Sequence, residues 1–174
     1  MVQPKIPARK LTVTALLLAM NIIMSSSVLS IAVPGGHMYL NDLIIVTAAV
    51  LLEPPLAMFV GGVGAFLGDL IFYPTPMFVS LVTHGLQAQL ISLIVHKVWK
   101  SKPIPASILG AALGLIVTVT GYTLGRAYIY STPAYAVAKF PFQILQTLVG
   151  SALALVLCWP LRLVELYHKQ FGEK

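Results

Sequence analysis

The sequence predicts an all-α integral membrane protein, a bundle of six transmembrane helices with both termini cytoplasmic. Three observations carry that reading. Of 174 residues, 58% are hydrophobic and only 9% charged, and the mean hydropathy is +0.91, a composition that a soluble domain of this size could not cover with polar surface. The apolar residues fall into six stretches, about 11–33, 37–53, 56–73, 77–99, 106–128 and 134–161, each near the roughly 20 residues that a bilayer-spanning helix needs. Threaded through six crossings, nine of the 11 Lys and Arg residues come to one side, as short cytoplasmic loops require.

The cations fall in three groups. Lys5, Arg9 and Lys10 precede the first stretch, Lys97, Lys100 and Lys102 surround the loop after the fourth, and Arg162, Lys169 and Lys174 follow the sixth. Arg126 and Lys139 are the exceptions, placed toward the outer side. The net charge of +6 is thus mostly topogenic, which leaves little for nucleic-acid binding.

Each stretch has its own signals. A basic prefix before the first suggests a cleavable secretory signal, but the apolar run is long enough to span, so a retained helix is expected. Thr12, Ala15 and Ala19 give this helix a small-residue face. Glu53-Pro54-Pro55 makes a tight turn between the second and third stretches, so residues 37–73 read as a helical hairpin crossing twice. Gly61, Gly64 and Gly68 on the third, and Gly110, Gly114, Gly121 and Gly125 on the fifth, give faces that allow close backbone approach. The lone Cys158 excludes an internal disulfide and reads as small-residue packing. No linker divides the chain, so residues 1–174 are expected to form a single domain.

Polar residues within apolar helices are informative because they are costly. Asn41 and Asp42 are expected near the outer face, as are Asp69 and Arg126. Ser80, His84 and Gln87 recur at i, i+4, i+7, and so do Lys139, Gln143 and Gln146, so each trio lines one stripe of its helix. Two such stripes facing each other would make a pocket. Tyr122, Tyr128, Tyr130 and Tyr135 cluster at the same level, suited either to a planar ligand or to an interfacial aromatic belt. For His84, Gln87 and Gln143, ligand binding competes with interhelical hydrogen bonding. Asp69 is expected to form an ion pair with Arg126 or Lys139.

Several chemistries lack their groups. There is no Walker phosphate loop and no HExxH, thiolate cluster or Gly-x-Ser-x-Gly elbow, so the chain is expected to be neither an ATPase by that route nor a metal site. An intramembrane enzyme built on Asp69 and His84 is the weaker alternative to binding without chemistry.

Ala15-x-x-x-Ala19, the stretch from Gly35 through Asn41-Asp42 to Gly61-Gly62 and Gly68-Asp69, Thr83-His84-Gly85-Leu86-Gln87, and Pro141-Phe142-Gln143-Ile144-Leu145-Gln146 resemble the substrate-binding S components of energy-coupling factor (ECF) vitamin transporters. They are most similar to the pyridoxine, hydroxymethylpyrimidine and cobalamin branch. The resemblance covers nearly the whole chain. It implies a multi-pass protein of a prokaryotic cell membrane that captures a vitamin outside and delivers it inward. Ala15 and Ala19 would dock on a transmembrane coupling subunit (EcfT type). Two cytoplasmic ATPases (EcfA type) would use ATP and Mg, with no cofactor in this chain.

On that resemblance the vitamin site lies near the outer face, between the loop after the first helix and helices four to six. The expected substrate-binding residues are Asn41, His84, Gln87, Tyr128, Tyr135, Lys139 and Gln143. Residues 34–40 would close over the ligand, with Pro34-Gly35-Gly36 as hinges. His, Gln, Asn and Tyr suit a neutral heteroaromatic ring with hydroxyls. Pyridoxine or hydroxymethylpyrimidine is the leading expectation, then cobalamin. A stand-alone carrier or channel, and a scaffold without a ligand, are the competing classes.

Overall fold

The computed structural model describes residues 7–26, 29–33 and 36–171. Its elements run α1 (Ala8–Met24), β1 (Ile31–Val33), β2 (Gly36–Met38), α2 (Asn41–Leu51), α3 (Pro54–Phe72), α4 (Met77–Val98), α5 (Pro103–Tyr130), α6 (Pro133–Cys158) and α7 (Leu163–Phe171). Helices α3 to α6 are each long and apolar enough to cross a bilayer. Proline begins three of them, as Pro54, Pro103 and Pro133, where the missing N–H has no partner to lose. Thr132 adds a cap to α6, its hydroxyl accepting from the Tyr135 N–H at 3.3 Å.

The first two stretches depart from expectation. Helix α1 ends at Met24 rather than continuing to residue 33. A serine run takes over where side-chain hydroxyls compete for backbone groups, and Ser25 Oγ donates to Asn21 O at 3.0 Å. Strands β1 and β2 then pair antiparallel as a hairpin, Ile31 with Met38 and Ala32 with His37. The hinge residues Pro34 and Gly35 lie outside the described residues.

Helix α2 has 11 residues, about 16 Å of helix against a hydrocarbon core of roughly 30 Å. It packs on the second half of α6: a Cβ placed on Gly150 would meet Asp42 Cβ at 2.6 Å. Gly150 lies eight residues before the end of α6, so Asp42 sits about 12 Å from that end. Asn41 and Asp42 are therefore deep in the bundle and not at its rim, because the hairpin supplies the length that a longer helix was expected to supply. The sixth stretch also stops early, at Cys158. Arg162 adopts a left-handed φ of 58°, and the chain turns into α7, which buries Val164 and Tyr167.

Glycine decides how closely the central helices approach. A Cβ on Gly61 would lie 2.7 Å from His84 O and 2.8 Å from Ala88 Cβ, and one on Gly62 would lie 2.8 Å from Leu81 O. Backbones of α3 and α4 are thus in direct contact. On α5, Gly121 and Gly125 receive the side chains of Thr83 and Val79 in the same way. The apolar core lies toward the basic end, where Ile45, Leu52, Val60 and Ile91 are fully enclosed. At that end Lys10 Nζ donates to Glu53 Oε1 at 3.1 Å, joining α1 to the α2–α3 turn. The hydrogen bond and charge of Lys10 hold the Glu53 carboxyl below its ordinary range.

Overpacking the α3–α4 contact with Gly61→Val is expected to cost about 1–3 kcal/mol. Gly85→Ala, whose added methyl meets nothing nearer than 3.6 Å, is expected to be neutral or stabilising by up to about 1 kcal/mol. Thermal unfolding in detergent separates the two, and equal losses would contradict the close-approach assignment.

Candidate functional site

Opposite the apolar core, the elements enclose a partly open cavity of about 200 Å³. Helix α1 contributes Ser25, the hairpin and its exit contribute His37 and Tyr39, and α2 contributes Asn41. Asp69, Tyr73 and Pro76 come from the end of α3 and its turn, and His84 from α4. Helix α5 adds Tyr122, Arg126 and Tyr130, and α6 adds Tyr135, Lys139, Gln143 and Gln146. Five tyrosines thus share one wall system with several hydrogen-bonding side chains, the mixture that small-molecule sites use to hold and orient a ring.

Three hydrogen-bonded groups set the walls. Ser80 Oγ donates to Asp69 Oδ2 and accepts from the Tyr122 hydroxyl at 2.6 Å. The Tyr122 ring meets His84 edge-on at 5.3 Å and lies under the Arg126 guanidinium at 5.1 Å. Arg126 Nη2 in turn donates to Gln143 Oε1 at 2.7 Å. The third group holds the hairpin: Lys139 Nζ donates to His37 O at 3.2 Å, and the Tyr39 N–H donates to Gln146 Oε1 at 2.9 Å.

The expected ion pair does not form. Asp69 is held by Ser80, while Arg126 goes to Gln143 and Lys139 to the hairpin carbonyl, so among the described residues Asp69 has no cation at salt-bridge distance.

Of the residues singled out in the sequence, Asn41, His84, Tyr135, Lys139 and Gln143 come together around this cavity. Gln87 and Tyr128 do not. Gln87 is on the stripe of His84 but one turn deeper, where its amide is taken up by others. Its Oε1 accepts from His84 Nδ1 at 2.7 Å, and its Nε2 donates to Asp42 Oδ1 at 2.8 Å. It fixes the orientation of the His84 ring from behind. Tyr128 is 80% exposed and faces away from the bundle, because two residues beyond Arg126 a helical side chain points to the opposite side of the helix.

Ser25, His37, Tyr39 and Tyr73 line the cavity without having been singled out as ligand contacts. Tyr39 and Tyr73 both stand at helix ends beside breaks in the apolar pattern, and that is the only signal the sequence offered. Ala15 and Ala19 are away from the cavity, on the exposed face of α1.

Three buried polar atoms among the cavity residues have no protein partner: Arg126 Nη1, Gln143 Nε2 and Asn41 Oδ1. Two are donors and one is an acceptor. Burying such atoms unpaired costs about 1–3 kcal/mol each, which makes them the natural contacts for a polar solute.

The Gln87 assignment is checkable by stability. Gln87→Leu leaves His84 Nδ1 and Asp42 Oδ1 without partners and is expected to destabilise the protein by about 1–3 kcal/mol. An unchanged melting temperature would remove Gln87 from its supporting role.

Two comparisons bear on identity. A family model described as "ECF-type riboflavin transporter, S component" matches residues 5–163. The chain is also similar to an "Uncharacterized protein in gap 3'region" of Pyrococcus woesei, 37% identical over 125 residues, which cover 69% of this chain and 80% of that one. With 159 of its 174 residues matched, a multi-pass membrane topology in its long apolar helices and a polar cavity at one end of the bundle, the chain belongs to the ECF-type riboflavin transporter S-component family.

Proposed function

We propose that this S component captures riboflavin in the cavity described above, at the outer face of a prokaryotic cell membrane, for delivery inward by its energy-coupling partners. The carrying observation is the set of unpartnered atoms. Arg126 Nη1 and Gln143 Nε2 offer N–H donors and Asn41 Oδ1 offers an acceptor, which suits a ring edge bearing carbonyls beside an imide N–H. The dione edge of a flavin has that pattern. Tyrosines on several sides supply faces and edges for a fused aromatic system.

Size supports the same choice. A cavity of about 200 Å³, at roughly 10–15 Å³ per water-sized position, holds on the order of 15 such positions. A flavin ring system uses that room, and a partly open mouth accommodates its polyol chain. A corrinoid is several times too large, which argues against cobalamin. Pyridoxine and hydroxymethylpyrimidine, the leading expectation from sequence, have a single ring and lack the fused dione edge.

The basic end is the cytoplasmic end in this proposal, following the bias of Lys and Arg. Six crossings then require α1, and the hairpin together with α2, to complete the passages that α3 to α6 make alone. Family membership implies energy-coupling partners. We assign them as one transmembrane coupling subunit and two ATPases, which would use ATP and Mg outside this chain. The exposed face of α1, with Ala15 and Ala19 between Leu11, Leu16, Met20 and Ile23, suits close approach by a partner helix.

Calorimetric titration of the purified chain with riboflavin, pyridoxine, hydroxymethylpyrimidine, thiamine and cobalamin tests the substrate. Riboflavin is expected to bind and the others to bind far more weakly; binding of a single-ring vitamin in its place would overturn the flavin assignment, and silence toward all would favour a scaffold. Arg126→Ala and Gln143→Ala are expected to weaken riboflavin binding by about 1–3 kcal/mol, roughly five- to 150-fold, while Tyr128→Ala leaves it unchanged. Ala15→Trp and Ala19→Trp are expected to abolish transport and spare binding, and loss of both together would count against docking through α1.

A further inference from the structure

Asn21 is completely buried in the last turn of α1, between Met20 and Ile22. Its Nδ2 donates to Val60 O at 2.8 Å and, with longer geometry, to Gly61 O at 3.4 Å. Both carbonyls belong to a π-turn over Phe59–Val63 in α3. Such a turn carries one residue more than regular helix and is concentrated at functional sites. The fit is close: a Cβ on Gly64 would lie 2.5 Å from Asn21 Nδ2.

The far side of the same π-turn touches the cavity wall. Gly61 meets the His84 carbonyl and Gly62 the Leu81 carbonyl, backbone against backbone, and the His84 side chain lines the cavity. At Gly61 and Gly62 backbone meets backbone, and packed interiors transmit displacement. A second link leaves Asn21 in the other direction. Ser25, which also lines the cavity, donates its hydroxyl to Asn21 O at 3.0 Å. Asn21 is thus where two connections from the cavity reach α1, whose opposite face carries exposed Leu11, Ala15, Ala19 and Ile23.

We infer that Asn21 is a positioning residue that couples occupancy of the cavity to the exposed face of α1, through its hydrogen bonds to the π-turn of α3. The inference rests on the capture-and-docking reading above and adds to it a specific route. The two states this requires are Asn21 bonded to the Val60 and Gly61 carbonyls and Asn21 released from them. A ligand that moves His84 shifts that balance, and a partner that bears on α1 shifts it from the other side. Coupling of this kind is reciprocal in binding free energy, and a two-state element biased from both sites is its physical requirement.

The test measures riboflavin affinity twice, for the free chain and for the chain in complex with its energy-coupling partners. In the wild type the two dissociation constants are expected to differ by at least fivefold. Asn21→Leu keeps nearly the same volume and removes both donors, so it is expected to fold, to bind riboflavin within threefold of wild type as a free chain, and to bring the two constants within twofold of each other. Vitamin uptake by the assembled transporter is expected to fall at least tenfold. Asn21→Ala should show the same collapse of the ratio with a lower melting temperature.

A variant that keeps the wild-type ratio overturns the inference, and so does one that loses free-chain binding and thermal stability together, since Asn21 would then be packing only. A wild-type ratio of one also overturns it. Failure of the wild-type free chain to bind riboflavin is a distinct result, which removes the substrate reading and this inference with it.

Discussion

A polar atom inside a bilayer has no water to fall back on, so each one must find a partner in the protein or in a solute. That constraint organises this molecule. Toward the basic end the core is mostly apolar, and several of its hydroxyls are returned to nearby carbonyls, such as Ser92 to Leu52 O and Thr118 to Gly114 O. Toward the other end the polar side chains answer one another in sequence, Asp69 with Ser80 and Tyr122, Arg126 with Gln143, Asp42 with Gln87 and His84. Of what these pairings leave over, Arg126 Nη1, Gln143 Nε2 and Asn41 Oδ1 border the cavity, while others, such as Thr147 Oγ1 and Ser151 Oγ, lie elsewhere in the bundle. A pocket with unspent hydrogen-bonding capacity in an apolar body is a binding device before any family is named.

The stripe on α6 was legible because a single regular period runs through it: Lys139, Gln143 and Gln146 all reach the cavity, even across the internal Pro141. Elsewhere periodicity misled for identifiable reasons. Tyr128 and Tyr130 were grouped by level alone, but two residues apart they point to opposite sides of the helix, so one is exposed and the other lines the cavity. Gln87 has the correct face and the wrong depth. Spacing reports direction around a helix and says nothing of which buried neighbour has claimed the amide first.

Depth was also the error at Asn41 and Asp42. An apolar run of 17 residues at 37–53 read as a crossing, but its first part is strand and connection, and the helix proper is only 11 residues long. Pro34-Gly35-Gly36 read as hinges of a closing loop, and Pro34 and Gly35 lie outside the described residues. That a hairpin would occupy the outer half of the bundle depends on the paired register of Ile31 with Met38, a contact between chain segments with no periodic signature of its own. The consequence for the site is substantial, since Asn41 brings an acceptor deep into the bundle, where a full-length helix would have left it near the rim.

Rigidity of the central helices limits where a response to a ligand can occur. With the backbones of α3 and α4 in contact at Gly61 and Gly62, and Gly121 and Gly125 closed over Thr83 and Val79, the middle of the bundle has little freedom. The hairpin is different: its ties to α6 are the Lys139 bond to His37 O and the Gln146 bond from the Tyr39 N–H. Gln143 lies between those two residues on the same stripe, with its Oε1 accepting from Arg126 and its Nε2 unspent. A solute that takes up Gln143 therefore acts on the helix that holds the hairpin from both sides of that residue. In the proposed function, capture and closure would fall to a single face of α6, and the close contact of α3 with α4 would carry a displacement at His84 toward α1.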